Sequence, residues 1–317
     1  MKRFILGSIV SAGCALAQTS TSATNTVDIN GRRVYDGAQS IQSKSGNQTV
    51  TTQTLGSING RQVPLERVEE RVIRDDASGR VVERTIQKYD PQGNPTTPVK
   101  ETVQVEKRPD GSSTTQTSTY RQDINGHMQL AEKSVTEVRT SGSTETAETA
   151  VQRPTINGSV ETVEKLSDTK VKDASGSYRE EAVTYRKDAG GGFYTAMRKS
   201  TEHTQQGSQS SDNTAEYEVG ASGQLELHGQ TVSKTVEQPD GSKSIVMDVF
   251  GKGVPGTVDA GGSSLKLQEQ QIIERKKGPS DTVVETVDVR RPSVADPKTL
   301  GPARQLSETV CKGNCKP

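Results

Sequence analysis

A glycine-bearing turn recurs about every 16 residues along most of this chain. Gly31, Gly46, Gly60, Gly79, Gly93, Gly111, Gly126, Gly142, Gly158, Gly176, Gly191, Gly207, Gly223 and Gly241 are 14 to 19 residues apart, most of them in polar strings such as DING, DASG, DPQG and PDGS. A fixed period of this size marks a repeat architecture. The typical unit puts Asp at the first turn position and Gly three residues later, as in Thr119–Gly126 (TYRQDING). The Asp carboxylate accepts bonds from nearby turn N–H groups, and Gly supplies the positive φ that closes a short hairpin loop. Between turns lie about ten residues, roughly 33 Å if extended. These segments carry Val, Thr and Ile in partial alternation with Glu, Lys, Gln and Ser, and Val (32 residues) outnumbers Leu (12), which favours strand over helix. The expected fold is all-β: a long antiparallel meander of about 16 short hairpin-linked strands, extended as a single-layer or coiled repeat sheet. Leu65–Arg74 (LERVEERVIR) also shows a helical stripe, but it ends in the same DDASG turn as its neighbours and is read as a strand.

Composition limits the core. Leu, Ile, Val and Phe number 59 of 317 residues, aromatics are 3%, and there is no Trp. That lies at the edge of the disordered class, yet the formal net charge is zero and the turns are regular. A sheet with little buried on either face satisfies both observations. It is similar in composition and turn spacing to the single-layer sheets of spirochaete outer-surface lipoproteins. Tyr89–Asn94 (YDPQGN) resembles the Tyr-Asp turn of YD repeats, found in large secreted bacterial shell proteins, and the resemblance implies a β-strand spiral rather than an activity.

The N-terminus directs export. Lys2 and Arg3 precede an apolar run from Phe4 to Ala15, and Ala15-Leu16-Ala17 offers a small-residue cleavage site before Gln18. Residues 1–17 are read as a bacterial signal peptide giving a secreted or periplasmic protein; the alternative is a lipoprotein anchored through Cys14 in Ser11-Ala12-Gly13-Cys14. No second apolar stretch is long enough for a membrane helix. A membrane barrel of strands is not expected, because stretches such as SSTTQTSTY and STETAETA offer neither an apolar outward face nor aromatic girdles.

Two cysteines then remain, Cys311 and Cys315 in CKGNC, read as one disulfide, the alternative being free or intermolecularly paired thiols. His127, His203 and His228 are read as exposed hairpin residues. No zincin, nucleophile-elbow or Walker pattern occurs, and a lone carboxylate per turn is read as a turn former rather than a calcium ligand. No catalytic, cofactor-binding or metal-ligating residue is expected, so the chain is not read as an enzyme. Beyond the leader, the expected plan is a Ser/Thr-rich linker at 18–27, a β-hairpin repeat region at 28–290 with a break at 251–262, and a flexible Pro-containing tail at 291–317. The most apolar strand, Ile245–Phe250, is the candidate interaction strand through Ile245, Val246, Met247, Val249 and Phe250. It is either packed or an exposed edge able to recruit a strand. The function expected is a structural or interaction role at the cell envelope or outside the cell, with self-association or envelope components as partners and no nucleic acid. The alternative is a periplasmic or surface binding module for a polysaccharide or lipid.

Overall fold

The computed structural model describes residues 18–27, 33–56, 62–220, 222–252, 265–279, 282–293 and 299–313. Residues 1–17, read above as a leader, and Cys315 lie outside them, and so does Cys14. The described residues form one 18-stranded sheet. Its first six strands are β1 (Gln18–Val27), β2 (Arg33–Ser45), β3 (Gln48–Gly56), β4 (Gln62–Asp76), β5 (Gly79–Lys88) and β6 (Val99–Lys107). The next six are β7 (Ser113–Gln122), β8 (Met128–Ser141), β9 (Thr144–Pro154), β10 (Val160–Lys172), β11 (Tyr178–Lys187) and β12 (Phe193–Gln206). The last six are β13 (Gln209–Val219), β14 (Leu225–Glu237), β15 (Lys243–Gly251), β16 (Lys266–Lys277), β17 (Thr282–Arg290) and β18 (Arg304–Lys312).

Each strand pairs antiparallel with the next, and β1 also pairs with β18, from Thr21↔Lys312 to Thr26↔Ser307. The meander therefore closes into a barrel. This corrects the expected open or coiled sheet. An open meander leaves two long edges of unpaired N–H and C=O groups, and closure pairs them with each other. The closing strands come from the two segments expected to be unstructured. Residues 18–27, read as a linker, are β1, and the tail supplies β18. The expected break does not detach a hairpin either: β15 and β16 pair directly from Lys243↔Arg275 to Gly251↔Lys266, and residues 253–264 between them lie outside the described residues. Leu65–Arg74 lies within β4, a strand as expected.

The turn chemistry holds as read. In the DING turn, the Gly126 N–H donates to the Asp123 carbonyl at 3.0 Å and the Asp123 N–H to the His127 carbonyl at 2.9 Å. The Asp123 carboxylate accepts the Asn125 and His127 N–H groups at 2.8 and 2.9 Å. Gly126 has φ 84°, a conformation that strains any residue with a Cβ. At other turns hydrogen bonds hold the carboxylates below their usual range, with Ser112 on Asp110, Ser175 on Asp173 and Ser242 on Asp240 as the largest causes.

The wall is one layer thick. The chain exposes 21171 Å², against about 13,000 Å² expected of a compact monomer of its mass. Among the described residues only Val82, Val283 and Val289 are buried apolar side chains. Paired residues share a face, so register sorts each strand into two sets. Glu66, Glu70, Glu101, Glu145, Glu164, Glu180 and Glu285 share one face and are all half-buried. Glu83, Glu106, Glu148, Glu181 and Glu202 share the other and are exposed. Side chains converge inside a closed wall and diverge outside it, so the first set is concave and the second convex. Val82, Thr119, Thr184, Val283 and Val289 are concave and buried. Ser118 is a buried convex residue, a small side chain between Thr102 and Lys133.

Candidate functional site: the bore and its two mouths

The two ends of the barrel are built differently. At one end the strands are joined by short connections, two residues each at 46–47, 77–78, 142–143 and 207–208. At the other end the connections include 89–98, 252–265 and 291–303. Every hairpin at this long-connection end except β5–β6 carries a register shift near its mouth, for example at Thr119/Tyr120, Thr184/Tyr185, Glu216/Tyr217 and Val249/Phe250. Bulges bend a strand and gather at barrel rims.

By size, eighteen strands at about 4.8 Å spacing and a tilt near 40° give a barrel about 35 Å across. After side chains on both sides, a bore of roughly 20 Å remains. Its wall is mainly Thr, Val and charged groups. Concave ion pairs include Arg84 Nε–Glu70 Oε2 at 2.8 Å and Lys170 Nζ–Glu180 Oε2 at 3.3 Å.

The most structured part of the bore spans β9 to β14 near the short-turn mouth. Lys170 sits over the Tyr178 ring at 3.6 Å, and Tyr178 stacks on His203 with centroids 4.6 Å apart. His203 Nδ1 lies 2.7 Å from Asp212 Oδ1, and Ser233 Oγ donates to Asp212 Oδ2 at 3.3 Å. The aspartate thus stands between the serine and the imidazole. His203 cannot take the Ser233 proton, so the trio does not run as a nucleophilic triad. One register step away, Asp168 Oδ1 is buried without a hydrogen-bond partner. Burial pushes the Asp168 carboxyl up to about 6; Glu180 and Glu145 add to the shift, and Lys170 opposes it. Burial also raises the Tyr178 hydroxyl. Among the described residues no group of His, Cys, Asp and Glu is arranged to hold a metal.

This cluster was missed by the sequence reading, which placed His203 on an exposed hairpin. His203 is half-buried because β11 and β12 bring it opposite Tyr178, a pairing that no local motif encodes. The candidate interaction strand, read as either packed or an open edge, lies inside the sheet. β15 pairs on both edges, with β14 and β16, so it has no open edge to offer. Ile245, Met247 and Val249 face the bore, while Val246 and Phe250 face outward. Cys311 lies in β18 opposite Ser22 and Val283. Its pairing with Cys315 stays a proposal.

The convex wall is polarised from end to end. Its cations Arg67, Lys100, Lys133, Lys165, Arg198 and Arg290 stand toward the long-connection mouth, with Asp248 and Asp288 as the acidic exceptions. Toward the short-turn mouth acids and bases nearly balance: Glu83, Glu106, Glu137, Glu148, Glu181, Glu202, Glu274 and Glu308 stand with Arg71, Arg74, Arg139, Arg179, Lys234, Lys276 and Lys312. Outward positions near the long connections include Tyr120, Leu130, Tyr185, Tyr217, Leu227, Phe250 and Leu267. Of the described large apolar side chains that are exposed, Leu65, Ile124, Ile156, Val160, Phe193, Tyr194, Met197, Val219 and Leu306 lie in this half, against Ile41, Ile73, Val171 and Val246 elsewhere.

No family model and no curated protein sequence matches the chain. Among solved structures it is similar in fold to OccK3 (OpdO) of Pseudomonas aeruginosa, with a TM-score of 0.53 at 9% identity over 94% of this chain and 95% of that one. The likeness runs nearly end to end and concerns the fold alone. A porin-like protein from Bacteroides uniformis aligns over 95% of this chain and 99% of its own at 10% identity, but its TM-score of 0.18 carries no structural argument.

Proposed function

We propose that the chain is an exported, porin-like β-barrel of the bacterial cell envelope whose water-filled bore admits small hydrophilic solutes. The observation that carries this reading is the β1–β18 pairing, which encloses a polar bore. Barrels of 16–18 strands are wide enough to hold an aqueous channel. The alternative of a binding module loses its premise, since one face expected to hold the ligand is the wall of the bore. The convex wall bears on how the barrel sits. Arg67, Lys133, Lys165 and Arg198 stand on it well inside the strands, and a lysine or arginine facing lipid at mid-bilayer costs about 2–4 kcal/mol. The wall is therefore read as facing water over most of its height.

The test is access to the bore. Single cysteines at the concave positions Thr117 and Thr201, in a background without Cys311 and Cys315, are treated with maleimide–polyethylene glycols of increasing size. The proposal expects rapid labelling by small reagents and a sharp fall near the bore diameter. Equal labelling by all sizes, as on an open sheet, or none at any size, would count against it. Fractionation should place the protein with the envelope.

A further inference from the structure

We propose that the long-connection mouth is a docking surface for anionic lipid, seated in the headgroup region while the rest of the barrel stands in water. The inference rests on the convex wall and the loop tips and does not depend on passage through the bore.

Ile124 and Ile156 are at the tips of DING and TING turns and are fully exposed. A branched apolar side chain at the apex of a hairpin has no role in the turn, whose bonds come from Asp123 or Thr155 and the glycine. Both ING strings among the described residues, ending at Gly126 and Gly158, fall in connections at this mouth. The corresponding short-turn tips read DASG, TSGS and PDGS.

Behind the tips, Tyr120, Tyr185, Tyr217 and Phe250 face radially outward. Tyrosine belongs at a membrane–water boundary, with its ring toward the apolar side and its hydroxyl in water. The next outward layer supplies cations: Lys165 lies over the Phe193 ring at 4.5 Å and Arg198 over Tyr217 at 5.7 Å. From Tyr120 to Ile124 is on the order of 10 Å along the chain, close to the depth at which interfacial elements bury.

Geometry decides the occupant. A second barrel stacked end to end would cover the isoleucine tips but not the outward ring. A partner against the wall would cover the ring but not the tips. A lipid surface entered by the mouth covers both. The basic half of the wall lies at that end, and the half turned away carries acids and bases in near balance.

The test is flotation of the exported protein with phosphatidylcholine vesicles, with and without phosphatidylglycerol, at low and high salt. The expected result is binding that requires the anionic lipid and weakens with salt. Ile124→Ser with Ile156→Ser should lower it at least tenfold, and Val171→Ser at the other end should not change it. Circular dichroism confirms the fold of each variant. Absent binding, binding equal on neutral vesicles, or an unchanged double variant would overturn the proposal. So would full protease protection of both ends, which indicates a spanning barrel, or a dimer in sedimentation that the double variant abolishes without lipid.

Discussion

The two halves of this barrel share one backbone plan and differ in what they present to the outside. Toward the long connections the convex wall is basic, ringed by tyrosine, phenylalanine and leucine, and tipped with isoleucine. Toward the short turns its charges nearly balance, and the ordered chemistry moves inside, to the Lys170–Tyr178–His203–Asp212 cluster. A hairpin repeat alone would make the halves equivalent. The difference shows that side-chain choice is organised by height on the barrel rather than by position within each repeat.

The largest expected effect breaks this polarity directly. Tyr185→Asp with Phe250→Asp should reduce vesicle binding about thirtyfold, on the scale of removing two half-buried aromatics at roughly 1.5–3 kcal/mol each when fully buried. Val171→Asp with Val236→Asp, at matching outward positions of the other half, should leave flotation unchanged. Equal losses would mean that the halves do not differ in function.

The turns, in contrast, should behave alike at both ends. Gly126 and Gly142 have φ of 84° and 59°, and a Cβ at either would meet open space. Valine at each should therefore cost the backbone strain alone, about 1–3 kcal/mol in denaturant unfolding. A large cost at one end only would reveal packing that open space does not allow.

A smaller effect sharpens the picture of the inner cluster. The folded-state pKa of Asp168 is raised from 3.8 to about 6, so between these values the folded state holds a proton that the unfolded state has lost. Stability falls as pH rises from about 4 to 6 and is level above, with the full penalty present at neutral pH. Asp168→Asn should stabilise the protein at pH 7 by about 1 kcal/mol, after allowance for solvent screening of a half-exposed group, and should have little effect at pH 4. Thermal melts at the two pH values check the sign.

The smallest effect belongs to the exposed convex pair Arg179–Glu202, 3.0 Å apart. Glu202→Gln should change stability by less than about 0.5 kcal/mol.

These contrasts explain what could be read from the chain itself. Hairpins were legible because Asp123 and Gly126 make their turn from bonds within five residues. Closure was not, because β1 and β18 are 285 residues apart at Thr24 and Thr309, and serine, threonine and glutamine in both segments look like linker. Part of the outward apolar band was hidden by the bulges. Leu130, Leu227 and Leu267 each lie beyond a bulged residue of their own strand, so counting every second residue assigns them to the wrong face. The bore cluster was hidden because both faces of the wall are polar, and alternation then says little about which side is inside.

Closure of the ring is the claim on which the rest stands, and the Thr24–Thr309 pair tests it most directly. Their hydroxyls are 2.8 Å apart across the β1–β18 seam. In an open sheet of the same strands the two positions would be about 80 Å apart, at about 4.8 Å per strand. Cysteines at both positions, with Cys311 and Cys315 replaced by serine, should form an internal disulfide in the monomer under mild oxidation and run as a faster band on a non-reducing gel. Cross-linking only between molecules, with the monomer left reduced, would show that β1 and β18 do not meet and that the chain is an open sheet.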